Sequence, residues 1–286
     1  NKLRRDQRVN MMDNSIKKIF KLDSQILKPR KLNQTWIKDI GYDQAPHYSE
    51  KMGLYELEDF LTVTSERIDH VKITTTQILN CPEIWLKKKI EAYKKYKVQP
   101  YLDHTYFMKA YEVGAVDKAI VLGKELGFEY IEFMSTYKDV PEEDLFRWRK
   151  LSKELGLNMF YEHHPKRNWF KSSDEESSAF ADIISMAKPF IDDGAIMLVL
   201  DHEEFELQNN EGKVNYKEII DYFGKEKICF EITSPKEGNE RWLHDLKKYF
   251  QLFGSNINVC NVMPSQALLI ENLRKNPDLD LIPKRF

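Results

Sequence analysis

Eight short apolar or β-branched runs, each followed by a longer stretch with helically spaced apolar residues, set the arrangement of this chain. The runs cover residues 36–41, 68–73, 98–102, 129–133, 157–161, 196–200, 227–232 and 257–262. A strand that alternates with a helix cannot close a hairpin and must pair in parallel with the next strand. Eight such units predict a closed (β/α)8 TIM barrel. Several runs end in carboxylate or imidazole: Asp103-His104, Glu162-His163-His164 and Asp201-His202-Glu203-Glu204. The carboxyl ends of barrel strands are where that architecture keeps its chemistry, so the pattern predicts an enzyme.

The intervening helices are expected at 54–62, from Pro82 through Trp85, Ile90 and Tyr93, and at 115–126, where Gly127 stops the helix. Further helices are expected from Pro141 to near Gly156, and over 179–190, 216–223, 241–253 and 265–274. Residues 1–27, rich in Arg and Lys, read as an N-terminal extension, and 28–286 as one barrel domain. The 286 residues suit a barrel of roughly 250 residues. The longest apolar run, 195–200, falls far short of the ~20 residues that span a bilayer, so no membrane association is expected. A formal charge of −2 gives no global attraction to nucleic acid. No apolar block follows Lys2, Arg4, Arg5 and Arg8, and Cys81, Cys229 and Cys260 read as free thiols. The expected location is therefore cytoplasmic.

Side chains alternate along a strand, so Glu132, Glu162 and Glu231 point into the barrel mouth. His164 stands two residues after Glu162, and Glu203 two after Asp201. Buried carboxylates are costly unless paired or bound to a cation. Two solutions stand open. One is a set of basic partners, such as Lys72, Lys166 and Arg30. The other is a divalent metal held by Glu132, Glu162, His164, Asp201 and Glu231. Four of the seven histidines, His104, His163, His164 and His202, fall at three strand ends. No His-x-x-x-His or Cys-x-x-Cys spacing marks a dedicated zinc site. Lys72, near the end of strand two, suits anion binding, base or Schiff-base chemistry, or simple neutralisation of Glu162 or Glu231. No nucleophile elbow or dinucleotide glycine fingerprint is present, and no organic cofactor is expected.

From Lys28 to Arg274 the chain resembles the phosphosulfolactate synthase family. The resemblance rests on Lys28-Pro-Arg30 with Asp39-x-Gly41, on Ile68-Asp69-x-Val71-Lys72, and on Gly127-Phe-Glu-Tyr-Ile-Glu132. It continues through the Glu162…Lys166 pair and Phe230-Glu231. It ends with Phe253-Gly254-Ser-Asn-Ile-Asn258-Val-Cys-Asn261-Val and Ile270-Glu271-Asn-Leu-Arg274. The resemblance implies a (β/α)8 barrel that adds sulfite to phosphoenolpyruvate with Mg²⁺ and no redox cofactor. It makes Lys72, Glu162 and Lys166 candidates for catalysis. Arg30, Thr105, Asn258, Asn261 and Arg274 become candidates for binding a small anionic metabolite, and Glu132, Glu162 and Glu231 for the metal or the general acid. A homo-oligomer is a reasonable expectation from the same resemblance.

The chain departs from the family at the strand ends. The family's Gly-Trp-Gly-Thr is Thr74-Thr-Thr-Gln77 here, and its Gly-Gly before Thr105 is Asp103-His104. A Glu is Met108, a Gly is His164, and Arg-Glu-Ser-Gly is Glu203-Glu204-Phe205-Glu206. Glycines let backbone N–H groups close on a phosphate, and these substitutions remove that approach. An Arg-to-Glu reversal ~6 Å from an anion shifts its energy by several kcal/mol at an effective dielectric of about 20. The expectation is thus a metal-dependent lyase or synthase acting on phosphoenolpyruvate or a related enol or 2-oxo acid, with an altered partner. The competing expectation is a catalytically silent stress-related or scaffold barrel.

Overall fold

The computed structural model describes residues 28–42, 50–134, 140–163, 180–202, 216–233 and 241–275. The chain divides into two units, Asn1–Arg30 and Lys31–Phe286. The second unit is a closed parallel barrel in the order β1 to β8, as the alternation predicts. Its strands are β1 (Thr35–Asp39), β2 (His70–Ile73), β3 (Gln99–Leu102), β4 (Tyr130–Phe133), β5 (Asn158–His163), β6 (Met197–Leu200), β7 (Ile228–Glu231) and β8 (Asn258–Val262). Most of their residues are buried, as expected for parallel strands covered by helices.

The helices expected from periodicity form α1 (Leu54–Thr64), α3 (Glu83–Lys95), α5 (Val116–Leu126), α6 (Glu142–Glu154), α7 (Phe180–Asp192), α8 (Tyr216–Phe223), α9 (Arg241–Phe253) and α10 (Ala267–Lys275). Two helices, α2 (Thr75–Asn80) and α4 (His104–Glu112), were not anticipated. Both begin almost directly at a strand end. Asp103 makes the second possible, because its carboxylate accepts from Thr105 N at 3.1 Å and caps the helix. Gln77 of α2 is fully buried beside Gly41, whose φ of +57° and lack of Cβ leave room for the Gln77 amide. A Cβ on Gly41 would meet Gln77 Oε1 at 2.3 Å.

A buried ion pair joins α3 to β1. Lys89 of α3 donates to Asp39 of β1, to Met52 O and to Gln77 Oε1, while Tyr93 donates to Asp39 Oδ2 at 2.7 Å. Every proton of that ammonium has an acceptor, which is the condition for burying a charge. At the opposite end of the barrel, Arg274 donates to Ser255 O at 2.7 Å, Ile257 O at 2.6 Å and Gln34 O at 3.0 Å. Asn258 there accepts from Gln34 N at 3.0 Å and donates to Ile228 O at 3.1 Å. These contacts tie the amino ends of β1 and β8 across the closing seam. Near the carboxyl end the same seam shifts register, with Thr35 opposite Val259 but Ile37 opposite Val262. Asn261, at φ +59°, accommodates the extra residue.

Candidate active site

The inside of the barrel is filled by Trp36, Tyr101, Phe160, Met197, Val199, Cys229 and Cys260. Inward positions recur every second residue. Stepping two residues toward the carboxyl end gives Lys38 from Trp36, Asp103 from Tyr101, Glu162 from Phe160, Asp201 from Val199 and Glu231 from Cys229. Lys72 and Glu132 follow His70 and Tyr130, whose rings pack on Trp36 or Phe160. The mouth is thus a ring of ionisable side chains on an apolar, aromatic floor.

One group centres on Lys72. Its Nζ lies 2.8 Å from Glu132 Oε2 and 3.4 Å from Glu162 Oε2, with all three side chains buried. His104 Nδ1 lies 3.1 Å from the same Glu132 oxygen, 3.0 Å from Glu162 Oε2 and 3.4 Å from Asp103 Oδ1. Burial alone would lower the pKa of Lys72, but Glu132 and Glu162 outweigh it and hold the ammonium well above its ordinary value. Burial also works downward on His104, and Glu162, Asp103 and Glu132 overcome it, so its ring stays protonated well above the usual imidazole range. Burial raises the Glu132 carboxyl against the pull of Lys72. Asp103 ends below its ordinary value, because His104, Lys72 and Lys38 outweigh its burial. Thr105 Oγ1 donates to Asp103 Oδ2 at 2.8 Å and shares a 2.6 Å contact with Thr75 Oγ1.

A second group joins β6 to β7. His202 Nδ1 lies 3.2 Å from Glu231 Oε1 and 3.7 Å from Asp201 Oδ1. Asp103, His104 and Glu132, and likewise Asp201, His202 and Glu231, offer ligand atoms within 4.8 Å of one another and fit a divalent ion. Glu132 Oε1 is buried with no hydrogen-bond partner among the described residues, as an oxygen reserved for a cation would be.

The structure therefore brings together Lys72, Glu132, Glu162 and Thr105 in one group, and Asp201 with Glu231 in another. Asn261 lies near the carboxyl end of β8, with its buried Oδ1 lacking a hydrogen-bond partner among the described residues. Asn258 and Arg274 are not brought to this mouth. They lie at the amino ends of the strands, where backbone carbonyls take their N–H groups. His164 and Lys166 lie outside the described residues, and Arg30 belongs to the first unit. Sequence reasoning gave no role to Lys38, or to His104 and His202 individually. The two-residue step from Trp36 would have found Lys38. That side chain is half-buried and has no ion pair among the described residues.

The family described as (2R)-phospho-3-sulfolactate synthase (ComA) matches residues 23–279. The chain belongs to this family. Phosphosulfolactate synthase of Methanocaldococcus jannaschii is 26% identical over 229 residues, covering 77% of this chain and 85% of that protein. The enzyme of the same name from Methanothermobacter thermautotrophicus is 21% identical over 268 residues, covering 90% and 94%. Among solved structures, DHDPS from Cyanidioschyzon merolae with lysine bound superposes with a TM-score of 0.52 at 10% identity, covering 86% of this chain and 76% of that one. KGPDC from Streptococcus mutans gives 0.51 at 9%, covering 85% and 98%. These two likenesses concern the barrel fold alone. Family membership makes the chain an enzyme of the lyase or synthase kind with no redox step. No helix among the described residues is long and apolar enough to cross a membrane.

Proposed function

We propose that the chain adds a nucleophile to phosphoenolpyruvate or a closely related enol or 2-oxo acid, with sulfite replaced or joined by another partner. The observation that supports this reading most is the buried Lys72 ammonium held between Glu132 and Glu162 at the carboxyl-end mouth. In the addition, a lone pair of the nucleophile forms the bond to C3, and C2 takes one proton. No electrons leave the system. Lys72 is the proton source for C2, and Glu162 orients the ammonium. Lys38 and the paired hydroxyls of Thr75 and Thr105 hold anionic oxygens of the substrate. A divalent cation, held by Glu132 or by Asp201 and Glu231, would polarise the substrate carboxylate and offset the acidic character of the mouth. The free buried thiols Cys229 and Cys260 suit a reducing, cytoplasmic setting.

The test is ³¹P NMR of phosphoenolpyruvate incubated with the protein, a divalent ion and a panel of nucleophiles that includes sulfite. Loss of the enol phosphate signal with one nucleophile supports the reading. A second reading, a catalytically silent barrel, draws on one feature: Lys72 and His104 already compensate the carboxylates around them. No consumption with any nucleophile would favour it.

A further inference from the structure

The mouth contains the same three-residue unit twice. Leu102-Asp103-His104 closes β3 and lies against Glu132 of the next strand, while Leu200-Asp201-His202 closes β6 and lies against Glu231 of the next. In both units Nδ1 of the ring faces the glutamate, at 3.1 and 3.2 Å, and the adjoining aspartate, at 3.4 and 3.7 Å. We propose that the two units are separate metal sites of mixed nitrogen and oxygen donors, built for later first-row divalent transition ions such as Co²⁺ or Zn²⁺ in preference to Mg²⁺. The proposal rests on the reading above that this mouth takes a divalent cation, and it names the class of ion and the residues that select it.

Several physical arguments support it. Magnesium dehydrates reluctantly and prefers oxygen donors, whereas imidazole nitrogen suits later first-row ions. Three protein donors per unit leave coordination positions open for water or a substrate oxygen, as catalytic sites require. The first unit also carries an observation beyond its donor types. Lys72 and His104 engage Oε2 of the fully buried Glu132, and Oε1 of that carboxylate has no hydrogen-bond partner among the described residues. Thr105 donates through N and Oγ1 to both oxygens of Asp103 and fixes its orientation, the support that metal-binding carboxylates usually have. Among the described residues of the mouth, carboxylates outnumber lysines and histidines, which favours a bound cation.

Isothermal titration of the chelator-stripped full chain with CoCl₂, ZnCl₂ and MgCl₂ tests the proposal, with Co²⁺ visible absorption as a second report on coordination. The expected result is two equivalents of Co²⁺ or Zn²⁺ bound roughly tenfold or more tighter than Mg²⁺. His104→Asn and His202→Asn should each remove one equivalent, with His→Gln variants as a second substitution and circular dichroism confirming the fold. Equal affinity for Mg²⁺, retention of both equivalents by folded variants, or no ion bound at all would overturn it. Turnover of phosphoenolpyruvate in the same samples separates the two ideas. Turnover supported by Mg²⁺ and indifferent to both histidines sinks this inference and spares the functional reading. Two occupied sites without turnover do the reverse.

Discussion

Replacing Lys72 with Met removes an ammonium that touches both Glu132 and Glu162 and leaves a chain of similar length in its place. At 2.8 and 3.4 Å the gross attractions are ~6 and ~5 kcal/mol at an effective dielectric of about 20. Much of that offsets the desolvation of three buried charges. Breaking a buried pair by removing one partner nonetheless costs about 3–5 kcal/mol, because the two carboxylates lose one of the cations that offset their burial and keep His104 beside them. A domain is stable by about 5–15 kcal/mol, so the loss is a large fraction of the whole. With a urea slope of about 3 kcal/mol per molar or more for a chain of this size, the midpoint should fall by about 1–1.5 M. Adding Glu132→Gln to Lys72→Met should recover most of the loss, since the amide is isosteric and carries no charge. The double-mutant cycle should give a coupling energy of about 2 kcal/mol or more. A single-variant loss below ~1 kcal/mol, or no recovery in the double variant, would refute the assignment of Lys72 as the neutralising centre of the mouth.

The pH dependence of His104 has a definite sign. Its folded pKa is raised above the unfolded value, so its contribution to stability is complete below pH ~6.5 and declines as pH rises through the folded value. His104→Gln should therefore destabilise by about 1.5–3 kcal/mol at pH 6, the range for hydrogen bonds to charged groups, and by less in alkaline urea titrations. A deficit that grows with pH contradicts this. Lys38→Met should change stability by no more than about 0.5 kcal/mol and raise KM for phosphoenolpyruvate about tenfold, with kcat little altered. An unchanged KM would remove Lys38 from the substrate. Arg274→Met should cost about 3 kcal/mol or more by stranding buried carbonyls, while kcat/KM per folded molecule stays the same. Selective loss of kcat/KM would return Arg274 to the site.

The barrel was legible because eight short apolar or β-branched runs alternate with helical runs, a signal that long-range packing rarely overrides. The inward direction of Glu132, Glu162 and Glu231 followed from the alternation of side chains along a strand. The two helices that start at strand ends were hidden, since Thr75–Asn80 and His104–Glu112 are short and each begins with polar residues that read as loop. Asp103 combines two roles, capping α4 and facing His104, and only the second suggests chemistry. Asn258 and Arg274 fell within the most family-specific segment, yet their side chains act at the amino ends of the strands. Sequence resemblance does not distinguish a residue kept for closing a barrel from one kept for binding a substrate. Nor does sequence spacing say which carboxylate pairs with which base. That depends on Lys72 reaching across to β4 and β5, a contact between residues sixty and ninety positions apart.

The seam between β1 and β8 has a consequence for how the molecule comes to be made. Its fasteners join Gln34 and Thr35, among the earliest-synthesised barrel residues, to Asn258 and Arg274, among the last. During translation the nascent first strand must wait with one edge open until β8 and α10 have emerged. An mRNA or protease cut just before α10 should therefore yield an aggregating sheet rather than a slightly shortened enzyme.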